Sequence, residues 1–426
     1  MIVWLALALE VSAQVRELWR VEMNDASTYY TLHSTVVDHQ NNTIVGATVE
    51  VYGTPHYVAA SVTKISPDGR ILWEFRDGTE ALNGVDSLAV DKDGNIFFSV
   101  QFSFNSPSPV ALVKLSADGK ELWRQSDIYA GSQTIGMSSS AIRLDPSGNP
   151  FFLFLQFGEP NTAGAKQSLT KFNSAGKKLW RTILPGHQYF MDGGLAKTLT
   201  LTPDGGAVIV GGYSPTPATN FLEISGFAAK VRADGALEWL SADYKGKQRI
   251  GNYNSVAVGS SGTVCAASSY EGLTVFSANG KPLHTIGLGS EAFGVTAKGD
   301  FLLTQFQEKL FTLKPSGTSA KLEAYSELAP ALTVLPDGED GFLMAGIQRG
   351  SYPGILGFSK LDKKGSVIWT AFLPDLFTYS WSYPSQTLKT TPVARAVDGS
   401  VRAILDSHRF RWEAEKPTVL AFAIHK

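Results

Sequence analysis

Short apolar runs broken by tight polar turns recur along the whole chain, and their alternation predicts β-strands joined by hairpins. No segment keeps a helical period. One turn-plus-strand pattern appears at 66–75 (SPDGRILWEF), 116–125 (SADGKELWRQ), 173–182 (NSAGKKLWRT), 232–241 (RADGALEWLS) and 362–371 (DKKGSVIWTA), each with a Trp four residues after the turn Gly. These are Trp73, Trp123, Trp180, Trp239 and Trp369. Weaker copies at 277–286 and 315–322 place His284 and Lys321 where the Trp would be.

A second pattern alternates with the first: 86–98 (DSLAVDKDGNIFF), 140–152, 197–210, 254–266, 291–303, 330–344 and 391–404, with a looser copy at 33–46. Each copy is a strand, an Asx-Gly or Ser-Gly turn and another strand, and such turns supply the positive φ that hairpins demand. Two consecutive hairpins make one unit of about 45–59 residues, the length of a four-stranded propeller blade. The expected fold is an all-β propeller of eight blades, or seven if the two degenerate units are remodelled. The last unit lacks an outer strand. The opening segment 15–20 (VRELWR), with Trp19, can supply it and close the ring.

The residue five before the Asp91 position of each unit is polar in seven of eight copies: His33, Asp86, Ser140, Lys197, Asn254, Glu291 and Thr391, with Pro330 the exception. The next residue is small: Ser34, Ser87, Ala141, Thr198, Ser255, Ala292, Ala331 and Pro392. Small residues suit inner strands crowded about an axis, and a polar collar suits a wet channel mouth. The recurring Trp residues are expected between neighbouring blades.

At this point a resemblance is visible. LAVDKDGNIFFSV (88–100) followed by VALVKLSADGKELW (110–123) resembles the bacterial β-propeller repeat of secreted and cell-surface proteins. The Lys ahead of the second turn matches at Lys64, Lys114, Lys171, Lys230 and Lys360; the units at 254–285 and 291–322 lack both Lys and Trp. The resemblance implies export and a propeller, and carries no catalytic residue with it. The turn-plus-Trp half also resembles the repeats of quinoprotein dehydrogenases and of a propeller subunit of outer-membrane protein assembly. Quinoprotein enzymes carry an adjacent cysteine pair, and this chain has one Cys, so no quinone or other cofactor is expected.

Composition narrows the function classes. Of 426 residues 43 % are hydrophobic and 18 % charged, with a net charge of −2, which lacks the basic field of a nucleic-acid binder. The lone Cys265, beside two Ala in a strand-like run, reads as a small core residue and excludes an intrachain disulfide. Residues 2–9 (IVWLALAL) with Val11-Ser12-Ala13 read as a signal peptide over 1–13, although no basic residue precedes the apolar run. The apolar run is too short to span a bilayer. The expected product is a single, monomeric propeller domain over 14–426, secreted, periplasmic or at the cell surface.

The a–b and c–d turns of each unit (strands lettered a to d) are short, whereas the b–c and d–a connections are long and aromatic. In a meander these long connections share one face, where binding residues collect on a rigid scaffold. Expected ligand-binding residues there are Tyr30, His56, Tyr57, His187, Tyr189, Tyr253, Tyr352, Trp381, Tyr383, His408 and Trp412. The His residues share no metal-ligand spacing, and Asp91-Lys92-Asp93-Gly94-Asn95 lacks the acid of a calcium loop, so no metal is expected. Asn41-Asn42-Thr43 matches a glycosylation acceptor but reads first as a hairpin turn. Two functions compete. One is a non-catalytic module binding a protein or a glycan. The other is a polysaccharide lyase or hydrolase at the channel mouth, with His33, Asp86, Lys197 and Glu291 as acid–base candidates.

Overall fold

The computed structural model describes residues 15–23, 28–51, 57–77, 81–102, 110–126, 140–157, 165–189, 197–214, 224–242, 252–268, 272–287, 289–295, 299–305, 309–316, 319–325, 327–337, 341–349, 354–362, 366–378, 393–405 and 417–424. The expected signal peptide lies outside them. Strand β1 (Val15–Glu22) comes first. Blade 1 is β2 (Thr28–Val37), β3 (Thr43–Val51), β4 (Tyr57–Ile65) and β5 (Ile71–Asp77); blade 2 is β6 (Ala81–Val90), β7 (Ile96–Phe102), β8 (Val110–Leu115) and β9 (Glu121–Gln125). Blade 3 is β10 (Ser140–Leu144), β11 (Pro150–Phe157), β12 (Ala165–Phe172) and β13 (Lys178–Ile183), followed by a short strand β14 (His187–Tyr189). Blade 4 is β15 (Leu199–Leu201), β16 (Ala207–Ser214), β17 (Ser225–Val231) and β18 (Leu237–Ala242); blade 5 is β19 (Ser255–Val258), β20 (Val264–Ser268), β21 (Gly272–Phe276) and β22 (Pro282–Ile286). Blade 6 is β23 (Ser290–Val295), β24 (Phe301–Gln305), β25 (Lys309–Leu313) and β26 (Ser319–Tyr325); blade 7 is β27 (Leu328–Pro336), β28 (Gly341–Gln348), β29 (Gly354–Asp362) and β30 (Val367–Thr378). Blade 8 is β31 (Val393–Arg395), β32 (Val401–Leu405) and β33 (Thr418–Ile424), with β1 as its fourth strand.

The chain is thus an all-β propeller of eight four-stranded antiparallel blades, and β1 closes it by pairing with β33 from Val15↔Ile424 to Glu22↔Thr418. Two compact units are distinguishable: residues 1–96, 115–121 and 324–426, and residues 97–114 and 122–323. The expected small inner-strand residues Ser34, Ser87, Ala141, Thr198 and Ser255 are all buried.

The repeat signatures have one physical explanation. Five outer-strand Trp residues donate their indole N–H to a backbone carbonyl in the c–d turn of the next blade: Trp19 to Pro67 (2.7 Å), Trp73 to Ala117 (3.1 Å), Trp123 to Ser174 (3.1 Å), Trp180 to Ala233 (2.9 Å) and Trp239 to Ala278 (3.0 Å). The ring lies flat on the turn Gly of that blade. A Cβ at Gly69, Gly119, Gly176, Gly235 or Gly280 would sit 2.5–2.8 Å from indole atoms, and the φ there is +80° to +90°. Glycine is therefore required twice, for the turn and for the docked ring. The Lys on the c strand is paired across the sheet with the Trp and serves the same carbonyl: Lys64 Nζ lies 3.2 Å from the Ala117 oxygen and Lys114 Nζ 3.1 Å from that of Ser174.

On its other side the Lys neutralises the Asp of its own a–b turn. Lys64 pairs with Asp38 (3.0 Å), Lys171 with Asp145 (3.1 Å) and Lys360 with Asp337. Asp38 also accepts the backbone N–H groups of Gln40 and Asn42, and Asp91 and Asp145 cap their turns likewise, so Asp91 opens a hairpin and not a calcium loop. Where the Lys is missing the Asp is missing too: Gly259 goes with Val275 in blade 5, and Ala396 with Ala421 in blade 8.

Blade 8 shows a transposition. Rows across blades 1, 3, 4 and 7 read apolar–Lys–Trp: Ile44↔Lys64↔Trp73, Phe151↔Lys171↔Trp180, Val208↔Lys230↔Trp239 and Leu343↔Lys360↔Trp369. The row in blade 8 reads Arg402↔Ala421↔Trp19. Arg402 is 1 % exposed, lies 5.5 Å from the Trp19 ring centroid, and donates to Thr43 Oγ1 of blade 1 (3.0 Å) and Ser400 Oγ (2.6 Å). The cation has moved from the third strand to the second, and it bridges the closing blade to the first.

Two expectations follow from these latches. Trp123→Ala should destabilise the chain by about 2–4 kcal/mol, because a large half-buried ring and its hydrogen bond go together, while Trp123→Phe should cost about 1 kcal/mol for the N–H alone. Chemical denaturation checks both. The second concerns acid. The Lys230 ammonium, then the Thr202 hydroxyl, holds the Asp204 carboxyl at about 2. At Asp38 and Asp145 burial pushes upward, but hydrogen bonds from Asn42 and Lys64, and from Asn149 and Lys171, outweigh it and lower both. A depressed native carboxyl means the unfolded chain binds more protons. These pairs therefore contribute fully above about pH 4, the unfolded carboxyl range, and their contribution is lost as pH falls toward about 2. Melting temperatures across pH 2–7 should fall in that window, and less steeply in Asp38→Asn.

Candidate functional site

In blade 1 the long-connection end of the sheet brings five polar side chains together. Tyr30 on β2 donates its hydroxyl to Glu74 Oε1 on β5 (2.8 Å), and Ser61 on β4 donates to the same oxygen (2.8 Å). Arg76 Nε donates to Glu74 (2.9 Å), its Nη2 to the Tyr30 hydroxyl (2.6 Å), and it hydrogen-bonds Tyr57 as well. Strand period two puts Glu74 and Arg76 on one face of β5, and cross-strand pairing aligns Ser61 with Arg76. Burial first, then Glu74, pushes the Tyr30 hydroxyl far above its ordinary range, so it stays neutral. The Glu74 hydrogen bond and charge raise Arg76 further, so it is a permanent cation. Tyr57, at the head of β4, is 40 % exposed. The cluster fixes an exposed aromatic ring beside a fixed cation.

Beside it, His33 is the extra residue of a β-bulge between Leu32 and Ser34, and its Nε2 lies 2.7 Å from Thr48 Oγ1 on β3. Gly84 of β6 closes on the same hydroxyl: a Cβ there would meet Thr48 Oγ1 at 2.1 Å. Strand β6, which carries Asp86, lies against β2, β3 and β4.

The second unit holds the other described candidates. Lys197 and Asn254 are half-buried on neighbouring inner positions, and the Val256 N–H donates to the Lys197 carbonyl (3.0 Å). Tyr253 is a correction to the ligand-face expectation. It is 2 % exposed, its hydroxyl donates to Thr274 Oγ1 (2.7 Å), and its ring fills the space that Gly226 leaves without a Cβ. His187 and Tyr189 fall not in an open loop but on β14, which pairs with β16 and touches β12, so blades 3 and 4 form one nine-stranded sheet. In this unit the side chains of Gln167, Ser214, Asn252 and Thr304 are buried with polar atoms that have no hydrogen-bond partner.

Asp86 lies on β6 and Glu291 on β23, at inner-strand positions as expected. His56, Tyr352, Trp381, Tyr383, His408 and Trp412 lie outside the described residues. Cys265 is buried in the blade 5 core, and burial pushes its thiol up. Among the described residues no group of three His, Cys, Asp or Glu could hold a metal ion, and no helix is long and apolar enough to cross a membrane. The sequence reading missed Glu74, Arg76 and Gln167. For the first two a signal exists: ILWEFR (71–76) puts Glu where ELWR and KLWR have Arg. Gln167 shows none.

Comparison with known proteins gives the fold and no family. No protein-family model matches the chain, and no curated protein matches it. Among solved structures it is similar to BamB from Moraxella catarrhalis, with a TM-score of 0.56 at 11 % identity, over 96 % of this chain and 99 % of that one. It is more loosely similar to a catalytically inactive virginiamycin B lyase from Staphylococcus aureus with quinupristin, with a TM-score of 0.43 at 13 % identity over 80 % of this chain and 96 % of that one, a likeness too distant to support any argument. The resemblance to cell-surface repeats therefore rests on the sequence alone, and the likeness to the Moraxella structure is one of fold.

Proposed function

We propose that this chain is an exported, non-catalytic binding propeller whose long-connection face takes a protein or glycan ligand. The observation that carries the reading is the held pair of Tyr57 and Arg76 on blade 1. An exposed aromatic ring beside an immobilised guanidinium is the chemistry of interface hot spots and of sugar stacking. Its partners Tyr30, Glu74 and Ser61 pre-organise it, which lowers the entropy cost of binding. His33 is engaged by Thr48 and Tyr30 stays protonated, so the described groups of this end favour recognition over proton transfer.

The test pairs a glycan array with photo-crosslinking from position 57 in the cell envelope. Tyr57→Ala or Arg76→Ala should weaken the retained ligand at least about tenfold, a hot-spot effect, while Tyr57→Phe keeps most of it. Polysaccharide cleavage by the purified chain that His33→Ala abolishes would overturn the reading in favour of a lyase or hydrolase.

A further inference from the structure

Strand β14 is the one described strand that belongs to no blade's four. It is three residues long and lies between β12 of blade 3 and β16 of blade 4, pairing Ala165↔Gln188 on one side and His187↔Ser214, Gln188↔Tyr213 and Tyr189↔Gly212 on the other. Beyond the end of β13 it stands where an outer strand of blade 3 would continue, and beyond the end of β15 where an inner strand of blade 4 would continue.

The fit is poor in a specific way. The Gln167 main-chain N–H is met not by a strand carbonyl but by the Gln188 side-chain oxygen (2.8 Å), while the Gln188 amide nitrogen turns back to the Pro185 carbonyl (2.8 Å). The Gln167 carboxamide reaches across to β16, where a Cβ on Gly211 would lie 3.0 Å from its nitrogen. It is fully buried, and neither its oxygen nor its nitrogen has a partner. The Ser214 hydroxyl, directly opposite His187, is also buried and unpartnered. Unmet buried groups of this kind are costly, and they border the same short strand on both sides.

We propose that β14 occupies a strand slot between blades 3 and 4 that an extended polypeptide segment of a partner takes by displacing it. A polypeptide fits because the slot offers strand edges on both sides, and because a carboxamide, donor and acceptor at once, matches a peptide unit. This rests on the reading of the chain as a binding propeller and names one kind of ligand for it, at a different place from the Tyr57 cluster.

The probe is a fluorescein-labelled heptapeptide with the chain's own sequence 184–190 (LPGHQYF), which can enter the slot only if β14 leaves it. Gln188→Ala should bind it at least tenfold more tightly than the parent chain. His187→Cys with Ser214→Cys, a directly opposed pair, should lose binding at least tenfold when oxidised and regain it on reduction. In the unaltered chain, the amides of Gln188 and Tyr189 should exchange with deuterium at least a hundredfold faster than those of Val208 and Val210. Equal binding to the oxidised and reduced double variant overturns the proposal, as does exchange at β14 as slow as in β16, which needs no variant to fold. Either failure leaves crosslinking at Tyr57 intact, and a failure at Tyr57 leaves these measurements readable.

Discussion

A chain beginning at residue 24 is expected to lose its cooperative fold, not merely some stability. Strand β1 fills the outer position of blade 8 along the whole length of β33, and Val15 and Met23 are buried members of the cores on either side of it. Its removal strips the cover from Leu420 and Phe422, takes Trp19 off the Gly69 turn, and leaves the buried Arg402 guanidinium without the ring beneath it. Losing these contacts together is comparable with the whole stability of a typical protein, about 5–15 kcal/mol. The truncated chain should show far-UV strand signal, weak near-UV signal and strong dye binding, and a synthetic peptide of residues 15–23 should restore the near-UV spectrum. A truncated chain that unfolds as sharply as the parent would count against closure by β1.

Arg402→Ala is expected to destabilise by about 2–4 kcal/mol, since it opens a cavity and removes the partner of Thr43 and Ser400 as well as the contact with Trp19. The sharper expectation concerns the transposed cation. In blade 3 the row is Phe151, Lys171, Trp180, with the Lys171 ammonium 4.4 Å from the Phe151 ring and Phe151 edge-on to Trp180. Arg402→Phe alone lacks a cation, and Ala421→Lys alone sets two cations side by side. The double variant rebuilds the row of blade 3 and should recover at least about 1 kcal/mol over the sum of the singles. Denaturant midpoints of the four chains measure it. Strict additivity would show that the cation's position in the row is immaterial.

The blade pattern was legible because each unit cannot bury its faces alone and so repeats the same devices. A turn Gly under a Trp and an Asp facing a Lys both leave fixed spacings in sequence. Closure was legible for the same reason: the strand with Trp19 was one outer strand too many at the start, and the last unit one too few. The site was less legible. Tyr30 and Tyr57 were singled out as loop aromatics, yet their meeting depends on Glu74 and Arg76, whose role comes from cross-strand register and not from spacing. Tyr253 misled because an aromatic in a connection looks the same whether it faces solvent or, as here, fills the gap above Gly226. Strand β14 was invisible: three residues after Pro-Gly carry no periodicity, and the strand exists only because two blades offer edges to it.

Closure by β1 is the claim on which the rest stands. Arg16 and Ala423 are directly opposed on β1 and β33, so Arg16→Cys with Ala423→Cys places two thiols for a disulfide, while the buried Cys265 stays out of the exchange. Mild oxidation should crosslink nearly every molecule without altering the circular dichroism and should raise the unfolding temperature, because the bond ties the two ends of a very long loop. Thiols that stay free in the folded double variant would contradict it.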